Sequence, residues 1–562
     1  MKKYFFSLSA ILFLLICIAI LYTFWDLPKT FFQQDEWLGS GQVLALGYGA
    51  ITHGLSPLQI LFADARPLTR LIGVLFTVKF SFNPAPYAYY GIFLHIVNSL
   101  LVYLIIKKLL KNTLAAFVGT VFFALNSVSH QSITWFAASF GLQPASVCIF
   151  LSIYLFLLFI ENNKVRFAFI SLFFALLSLY FKESGIFLFA FLPIMPFIFR
   201  KKIETKKYIK IFSPFIIFII LFVLYRIVEI IIPALTPRDL FNSPVYASIN
   251  QGKLFFVQSM IARFIMYPMT SLSLMFIPQY SALSIAYDFM KVYYPYITDH
   301  FDLIGETVVL DMLSTIGSFL LLIYIGIEIK FDKKSRHIVL FIISLFFLSI
   351  IPYIIIGKTF AYMEPRYYYI PLAAGGILVG YIAKNIFLIN KKFFTLKLAF
   401  ALVFVYLMFL HVNEIKQDIQ TQVVIASERK GFIAQLINEL PTLKENVNVF
   451  YFTSDRKWWK DTNTVPFQHG FGYSVPVLYY NTGRMPKQLL INGYLWTLGS
   501  EGYTKVNDVS YGYYTSFDHL KEAKSTYHFS WDDIHAFYYD SKKMKLQNIT
   551  EQTRDELSNE DK

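Results

Sequence analysis

Apolar residues run along most of the chain in blocks of about 20, each long enough to cross a bilayer as a helix, with short polar breaks between them. The blocks fall near residues 5–25, 88–106, 113–129, 141–160, 209–232, 305–327, 338–356, 367–388 and 396–412. The stretch 167–199 holds two further short spans, interrupted at Lys182-Glu183-Ser184. The pattern therefore predicts about 11 spanning helices. The block 254–277 is read as a re-entrant or interfacial helix, because a full span there would carry the basic stretch 330–336 to the outer side. The first block, Tyr4 to Trp25, follows Lys2-Lys3 as the apolar region of a signal peptide does. It has spanning length and no clear small-residue cleavage site, which predicts a retained span.

After Asn413 the pattern changes. Glu414 to Leu440 alternates polar and apolar faces as a helix does, and Val447 to Thr453 reads as a buried strand. With Trp458, Trp459, Trp496 and Trp531 these predict a compact soluble α/β domain over 413–546, following a membrane domain over 1–412. The last residues, 547–562, are charged and lack aromatics, so they are expected to be disordered. Asn548-Ile549-Thr550 matches a glycosylation acceptor triplet, a short and weakly specific match.

Composition agrees with this division. Of 562 residues, 56% are hydrophobic and 15% charged, which excludes a purely soluble protein. The net charge of +14 lies in clusters at Lys107, Lys108 and Lys111, at Arg200 to Lys210, at Lys330 to Arg336 and at Lys384 to Lys397. Each cluster falls between apolar blocks, as inner loops of a multi-pass protein require, so basic charge reports orientation and not a nucleic-acid partner. Alternating the spans from a cytoplasmic N-terminus places every cluster inside and the C-terminal domain outside, in a plasma or inner membrane. Cys17 and Cys148 both lie in apolar blocks, which leaves no disulfide framework and no thiolate metal site.

The outer loops, 26–87, 233–304 and 357–366, are long and aromatic and form the expected working face. Within the first, the apolar positions of 60–82 suggest a helix lying along the surface. Four polar groups fall at this predicted outer boundary: Asp35-Glu36, Asp64 to Arg66, Lys182-Glu183 and Glu364 to Arg366. Charge at a lipid boundary needs a partner or a task. Such a mix suits glycosyl transfer from a lipid-linked donor, since a carboxylate can take the proton of an attacking hydroxyl while Arg and Lys hold a phosphate leaving group. Structural readings stand beside each. Asp35 and Glu36 also fit a solvated helix end, Lys182-Glu183 an ion pair breaking two helices, Arg66-Pro67 a helix start, and Arg366 an aromatic belt with Tyr367-Tyr368-Tyr369. Arg226 and Glu229 fit a pair on one helical face, and His95 and Asn98 fit hydrogen bonds between helices. His300, between Asp299 and Asp302, lacks a second ligand group at metal-site spacing.

The order of these motifs resembles the membrane half of the GT-C glycosyltransferases, nearest to the protein O-mannosyltransferases and their TPR-containing transmembrane relatives. The carrying residues are Asp35-Glu36 after the first span, Arg66-Pro67-Leu68, Asn83-Pro84 leading into a span with His95 and Asn98, Trp135, Lys182-Glu183, and Glu364-Pro365-Arg366-Tyr367-Tyr368-Tyr369-Ile370-Pro371. The resemblance covers about the first 410 residues. It implies a helical membrane fold with a catalytic first outer loop, a polyprenyl-phosphate sugar donor, a mannose-like hexose, a protein, glycan or lipid acceptor, and inversion at the anomeric carbon. It implies Asp35 as base with Glu36 an alternate, donor-phosphate contacts from Arg366, Lys182 and Arg66, and support from Glu183, Glu364, Asp64 and His95. A divalent metal stays open. The sequence departs from the family at Ala88, where a His is usual, and at Pro365, which separates the usual Glu-Arg neighbours; no TPR array follows. The alternative reading of the same boundary charges is a transporter or flippase of lipid-linked sugar, though no internal repeat supports it.

Overall fold

The computed structural model describes residues 8–52, 56–57, 60, 66–201, 203–226, 253–293, 302–333, 335–356, 365–388, 394–455, 457–458, 462–463, 471–480, 484–485, 487–491 and 501–560. Eight of the described helices are long and apolar enough to cross a membrane: Leu8–Lys29, Ala85–Leu110, Phe136–Asn162, Thr205–Leu224, Val309–Phe331, Arg336–Ile354, Pro371–Leu388 and Phe394–Glu439. Three shorter apolar helices, Thr113–Ala124, Val165–Phe181 and Glu183–Ile198, stand where the sequence predicts the remaining spans. Leu402, Val405 and Phe409 are all exposed on one such helix, an arrangement that suits hydrocarbon and not water. The protein is thus polytopic and helical, with a sheet-containing domain at its C-terminal end.

Contacts divide the chain into two compact units, and the division differs from the predicted boundary at residue 412. One unit comprises Met1–Trp25, Leu55–Thr69 and Tyr89–Asp418; the other comprises Asp26–Gly54, Arg70–Ala88 and Ile419–Lys562. Most of the first outer loop therefore belongs with the C-terminal domain. The expected break after residue 412 is also absent, because Phe394–Glu439 is one continuous helix of 46 residues. Nothing in Val412-Asn413-Glu414 stops a helix: there is no Pro or Gly and the intrahelical ladder continues.

In the first unit, Thr113–Ala124 lies against Pro371–Leu388 at very short range. A Cβ on Gly376 would stand 2.7 Å from the carbonyl oxygen of Gly119, and one on Gly380 would stand 2.8 Å from that of Ala115. Gly376 and Gly380 are four residues apart on one face, the small-residue spacing that lets two helix backbones touch within lipid. Lys253–Leu274, where an interfacial or re-entrant helix is expected, is a 22-residue helix packed along Asp302–Phe331. Its Arg263 is fully buried and donates to the carbonyl of Ile354 at 3.4 Å.

In the second unit, five strands order as β4-β5-β1-β6-β7: β1 Val447–Ser454, β4 Gly502–Val506, β5 Val509–Tyr514, β6 Ile534–Asp540 and β7 Lys545–Asn548. A separate pair joins β2 Lys457–Trp458 to β3 Thr462–Asn463. The central strand β1 runs parallel to both neighbours and is buried along most of its length, which suits its Val449-Phe450-Tyr451-Phe452 core. Helix Phe517–Tyr527 closes one side around Val449, Tyr514, Leu520 and Ile534. The expected disorder of 547–562 is corrected here: β7 ends at Asn548 and Thr550–Glu560 is a helix. Thr553 and Leu557, four residues apart, make a narrow buried stripe, and Arg554 donates to the carbonyls of Asp532 and Ile534. Two buried positions in an otherwise charged segment leave a composition that reads as disordered.

Two outcomes follow from this packing. Gly376→Val inserts a branched side chain where two backbones meet, so the detergent-extracted protein should lose several degrees of Tm, whereas the same change at Gly326, where a Cβ meets open space, should leave Tm nearly unchanged. On β6, His535 is 8% exposed with Nε2 3.2 Å from Asn448 Oδ1. Burial and then the charges of Lys444 and Arg554 hold it down at about 4, against an ordinary value of 6.5, while Asp533 opposes them. The folded state therefore binds fewer protons than the unfolded chain. Stability is complete above pH 6.5 and is lost as pH falls toward 4, by at most about 3 kcal/mol. Amide exchange in β1 and β6 should accelerate over that window, and His535→Gln should flatten the dependence.

Candidate functional site

In the first unit the helix Val165–Phe181 ends because Lys182 adopts an extended backbone (φ −159°, ψ 139°), and Glu183–Phe187 continues as a 3-10 turn. This break delivers Lys182 and Glu183 to the ends of apolar helices. Arg66, just ahead of the Pro67 that opens Pro67–Phe80, donates from Nε to both carboxylate oxygens of Glu183, at 3.1 and 3.3 Å. Neighbouring Thr69 Oγ1 donates to the carbonyl of Phe181 at 2.6 Å, tying the same two segments. The sequence motifs at 66 and 182–183 thus meet in space.

The third motif joins them through an aromatic ring. The Lys182 ammonium lies 5.4 Å from the centroid of the Tyr367 ring, and the Arg366 guanidinium lies 4.9 Å from the same ring and 4.6 Å from that of Trp135. Tyr367 is stacked on Tyr353 at 4.5 Å. The negative faces of these rings meet both cations, and Lys182 is only 9% exposed. Arg66, Lys182, Arg366 and Glu183 together carry three positive charges and one negative, a set suited to an anion. Trp135 Nε1 is buried and has no hydrogen-bond partner among the described residues.

The segment bearing Arg366, the 3-10 turn Pro365–Tyr369, is anchored by its two final tyrosines. Tyr368 donates to Ser271 Oγ at 3.1 Å. Tyr369 is wholly buried, with its hydroxyl 2.7 Å from His95 Nδ1 and 3.1 Å from Gln143 Oε1. His95 Nε2 stands 2.9 Å from the carbonyl of Ala124, which can accept only, so Nε2 carries the proton, and Nδ1 and Gln143 Oε1 share the single hydroxyl proton of Tyr369. Gln143 in turn accepts from Asn98 Nδ2 at 2.9 Å and donates to the carbonyl of Ser132 at 3.1 Å. His95 and Asn98 are therefore hydrogen-bonded packing residues, and His95 holds the turn that bears Arg366.

Asp35 and Glu36 belong to the second unit, in the first turn of helix Gln34–Leu46. Glu36 is buried and closes a capping box: its carboxylate accepts from the backbone N–H of Gln33 at 2.9 Å while the Gln33 side chain caps the Glu36 amide. Asp35 is exposed on the same turn. Trp37 is buried against Phe31, Phe32 and Phe82, which fixes the helix entry. Of the other sequence candidates, Asp64, Glu364, Glu229, Asp299 and His300 lie outside the described residues. Among the described residues no three His, Cys, Asp or Glu side chains gather as metal ligands. Gln143 and Tyr353 carry no mark in the sequence motifs, and Tyr367 enters them only as a motif and aromatic-belt residue; an amide inside an apolar block is a usable signal for Gln143.

No family model matches the chain, and no curated protein matches it. Among solved structures, the chain is similar to ArnT from Cupriavidus metallidurans bound to undecaprenyl phosphate, with 9% sequence identity over 94% of this chain and 92% of that one and a TM-score of 0.39. At that TM-score the backbones diverge too far for residues of one to be read onto the other.

The anchoring network has a direct check. His95→Ala removes one of the two partners of the Tyr369 hydroxyl and the side-chain partner of the Ala124 carbonyl in an apolar interior, at a cost of about 1–3 kcal/mol. Amide exchange over 365–369 should rise and Tm should fall, while His95→Gln, which retains hydrogen-bonding capacity, should restore part of the protection. Unchanged exchange in His95→Ala would show that the turn is held by other contacts.

Proposed function

We propose that the chain is a GT-C-type integral membrane glycosyltransferase that moves a sugar, a mannose-like hexose, from a polyprenyl-phosphate donor to a hydroxyl of a protein, glycan or lipid acceptor at the outer membrane face. The observation that carries this reading is the pair of cations, Lys182 and Arg366, brought to one aromatic ring at the ends of apolar helices. A lipid phosphate carries its negative charge at the end of an apolar chain, the kind of group that cations at the ends of apolar helices suit. Arg offers a planar fork and Lys a point charge, while the buried Trp135 N–H is a further donor that an oxygen-rich ligand would satisfy.

By the resemblance of the sequence motifs Asp35 is assigned as the base: the acceptor O–H gives its proton to that carboxylate, and its oxygen attacks the anomeric carbon. The bond from that carbon to the phosphate oxygen breaks with inversion. Polyprenyl phosphate departs with the electron pair, its growing charge met by Lys182 and Arg366. Cationic groups fixed in a water-poor setting stabilise such a charge more than they do in bulk water. Glu183 holds Arg66 at the cluster's edge.

The test is transfer of radiolabelled sugar from a panel of polyprenyl-phosphate donors by purified protein, with and without chelator. Wild type should transfer, and Asp35→Asn should lose about 10²-fold or more in kcat with donor binding retained. Lys182→Gln and Arg366→Gln should each lower kcat/KM by about 10-fold or more. Full activity in Asp35→Asn removes the base. Movement of labelled lipid-linked sugar across liposomes without transfer replaces the enzyme reading with transport.

A further inference from the structure

The C-terminal part of the long helix Phe394–Glu439 is clasped to the segment that carries Asp35, entirely within the second unit. Gln420 Nε2 donates to Asp26 Oδ2 at 2.8 Å, and Gln33 Nε2 donates to Gln422 Oε1 at 3.3 Å. Arg429 Nη1 donates to the carbonyl of Phe32 at 3.3 Å, one residue before the cap of helix Gln34–Leu46. Lys430 reaches the carbonyl of Lys29 at 3.4 Å and lies over the Phe31 ring. Gln422, Ala426 and Arg429 fall at positions i, i+4 and i+7 and so share one helical face.

Arg429 is 4% exposed, and a buried guanidinium is tolerated where charge and hydrogen bonds meet it. The carboxylates of Glu36 and Glu428 supply opposite charge beside it. Glu428 is itself fixed by the sheet, since Tyr539 of β6 donates to its Oε1 at 2.8 Å. Phe432, fully buried one turn on, packs its ring against Phe452 of β1, Phe471 and Tyr539. The sheet, the helix face and the cap of the Asp35 helix therefore form one connected path.

The far end of the Asp35 helix is held as well. Helix Gln34–Leu46 packs on Phe471–Tyr479 and Lys487–Ile491. Gly41 lies so close to Tyr473 that a Cβ there would overlap its hydroxyl and stand 2.9 Å from Cε1. Tyr473 cannot withdraw, because it is 1% exposed and its hydroxyl donates to the Leu490 carbonyl.

We infer that Arg429 and Glu36 are positioning residues and that the C-terminal domain serves as the mount of the Asp35 helix, fixing it through Arg429 at its cap and the Gly41–Tyr473 contact beyond. The inference rests on the glycosyltransferase reading for its catalytic consequence, while the mount itself is structural. It gives the C-terminal domain a task that needs no reactive group of its own.

The experiment compares wild type, Arg429→Gln, Arg429→Lys and Gly41→Ala, each as full-length protein in detergent or nanodiscs, by amide exchange and by sugar transfer. Arg429→Gln should deprotect 33–46 and lower kcat by about 10-fold or more with donor KM within about 2-fold, since a misplaced catalytic group costs turnover before it costs donor binding. Arg429→Lys, which keeps the charge, should recover part of both. Gly41→Ala should deprotect the same helix from its other end, and adding Tyr473→Phe should relieve it in part. Unaltered exchange over 33–46 in Arg429→Gln and Gly41→Ala overturns the mount. Deprotection with full kcat overturns the positioning role. Absence of transfer by wild type defeats the glycosyltransferase reading and the positioning role with it, while exchange still decides the mount.

Discussion

Within hydrocarbon, a polar side chain has only the protein to bond to, and that constraint organises the first unit. His95, Tyr369, Gln143, Asn98 and the carbonyls of Ala124 and Ser132 hydrogen-bond to one another across five segments, of which Pro365–Tyr369 is distant from the rest in sequence. Because each of these groups is costly to strand, the turn Pro365–Tyr369 has little freedom to move. Arg366 and Tyr367 ride on that turn and meet Lys182, whose own place is set by the break between two apolar helices. Arg366 thus gains a fixed position from the neutral, buried hydrogen bonds of the turn that carries it.

A different device holds the second unit's candidate base. Capping at Gln33 and Glu36, the buried Trp37 and the hydrogen bonds from the long helix order the first turn of Gln34–Leu46. Glu36 is consumed by this work, which separates two adjacent carboxylates into one buried cap and one exposed group, Asp35. Neighbours in sequence receive unlike roles because helical geometry points them in different directions.

Much of this was legible beforehand. Span length and apolar blocks fix the helices near 85–110, 136–162, 336–356 and 371–388, and the charge in Lys182-Glu183 marks a helix break where one occurs. The run Val447 to Thr453 announces the central strand. Other features depend on contacts that no local pattern encodes. Membership of 26–54 and 70–88 in the C-terminal unit is a tertiary fact, and the helix 550–560 is betrayed by two buried positions alone. The capping role of Glu36 is hidden in the sequence because Gln33 stands where the usual capping-box signature has Ser or Thr, so two adjacent carboxylates read as alternative bases. The part played by Tyr367 could not be read locally, since tyrosines are expected at a membrane boundary in any case.

The central claim is that Lys182 and Arg366 form the seat of a lipid phosphate. It is tested most directly by titrating purified protein with a polyprenyl phosphate, sugar-free, and comparing wild type with the Lys182→Gln/Arg366→Gln double variant at low and high salt. The account predicts saturable binding by wild type that weakens with salt and falls by about 10-fold or more in the double variant, with Tm preserved. Equal affinity in the two proteins would contradict it.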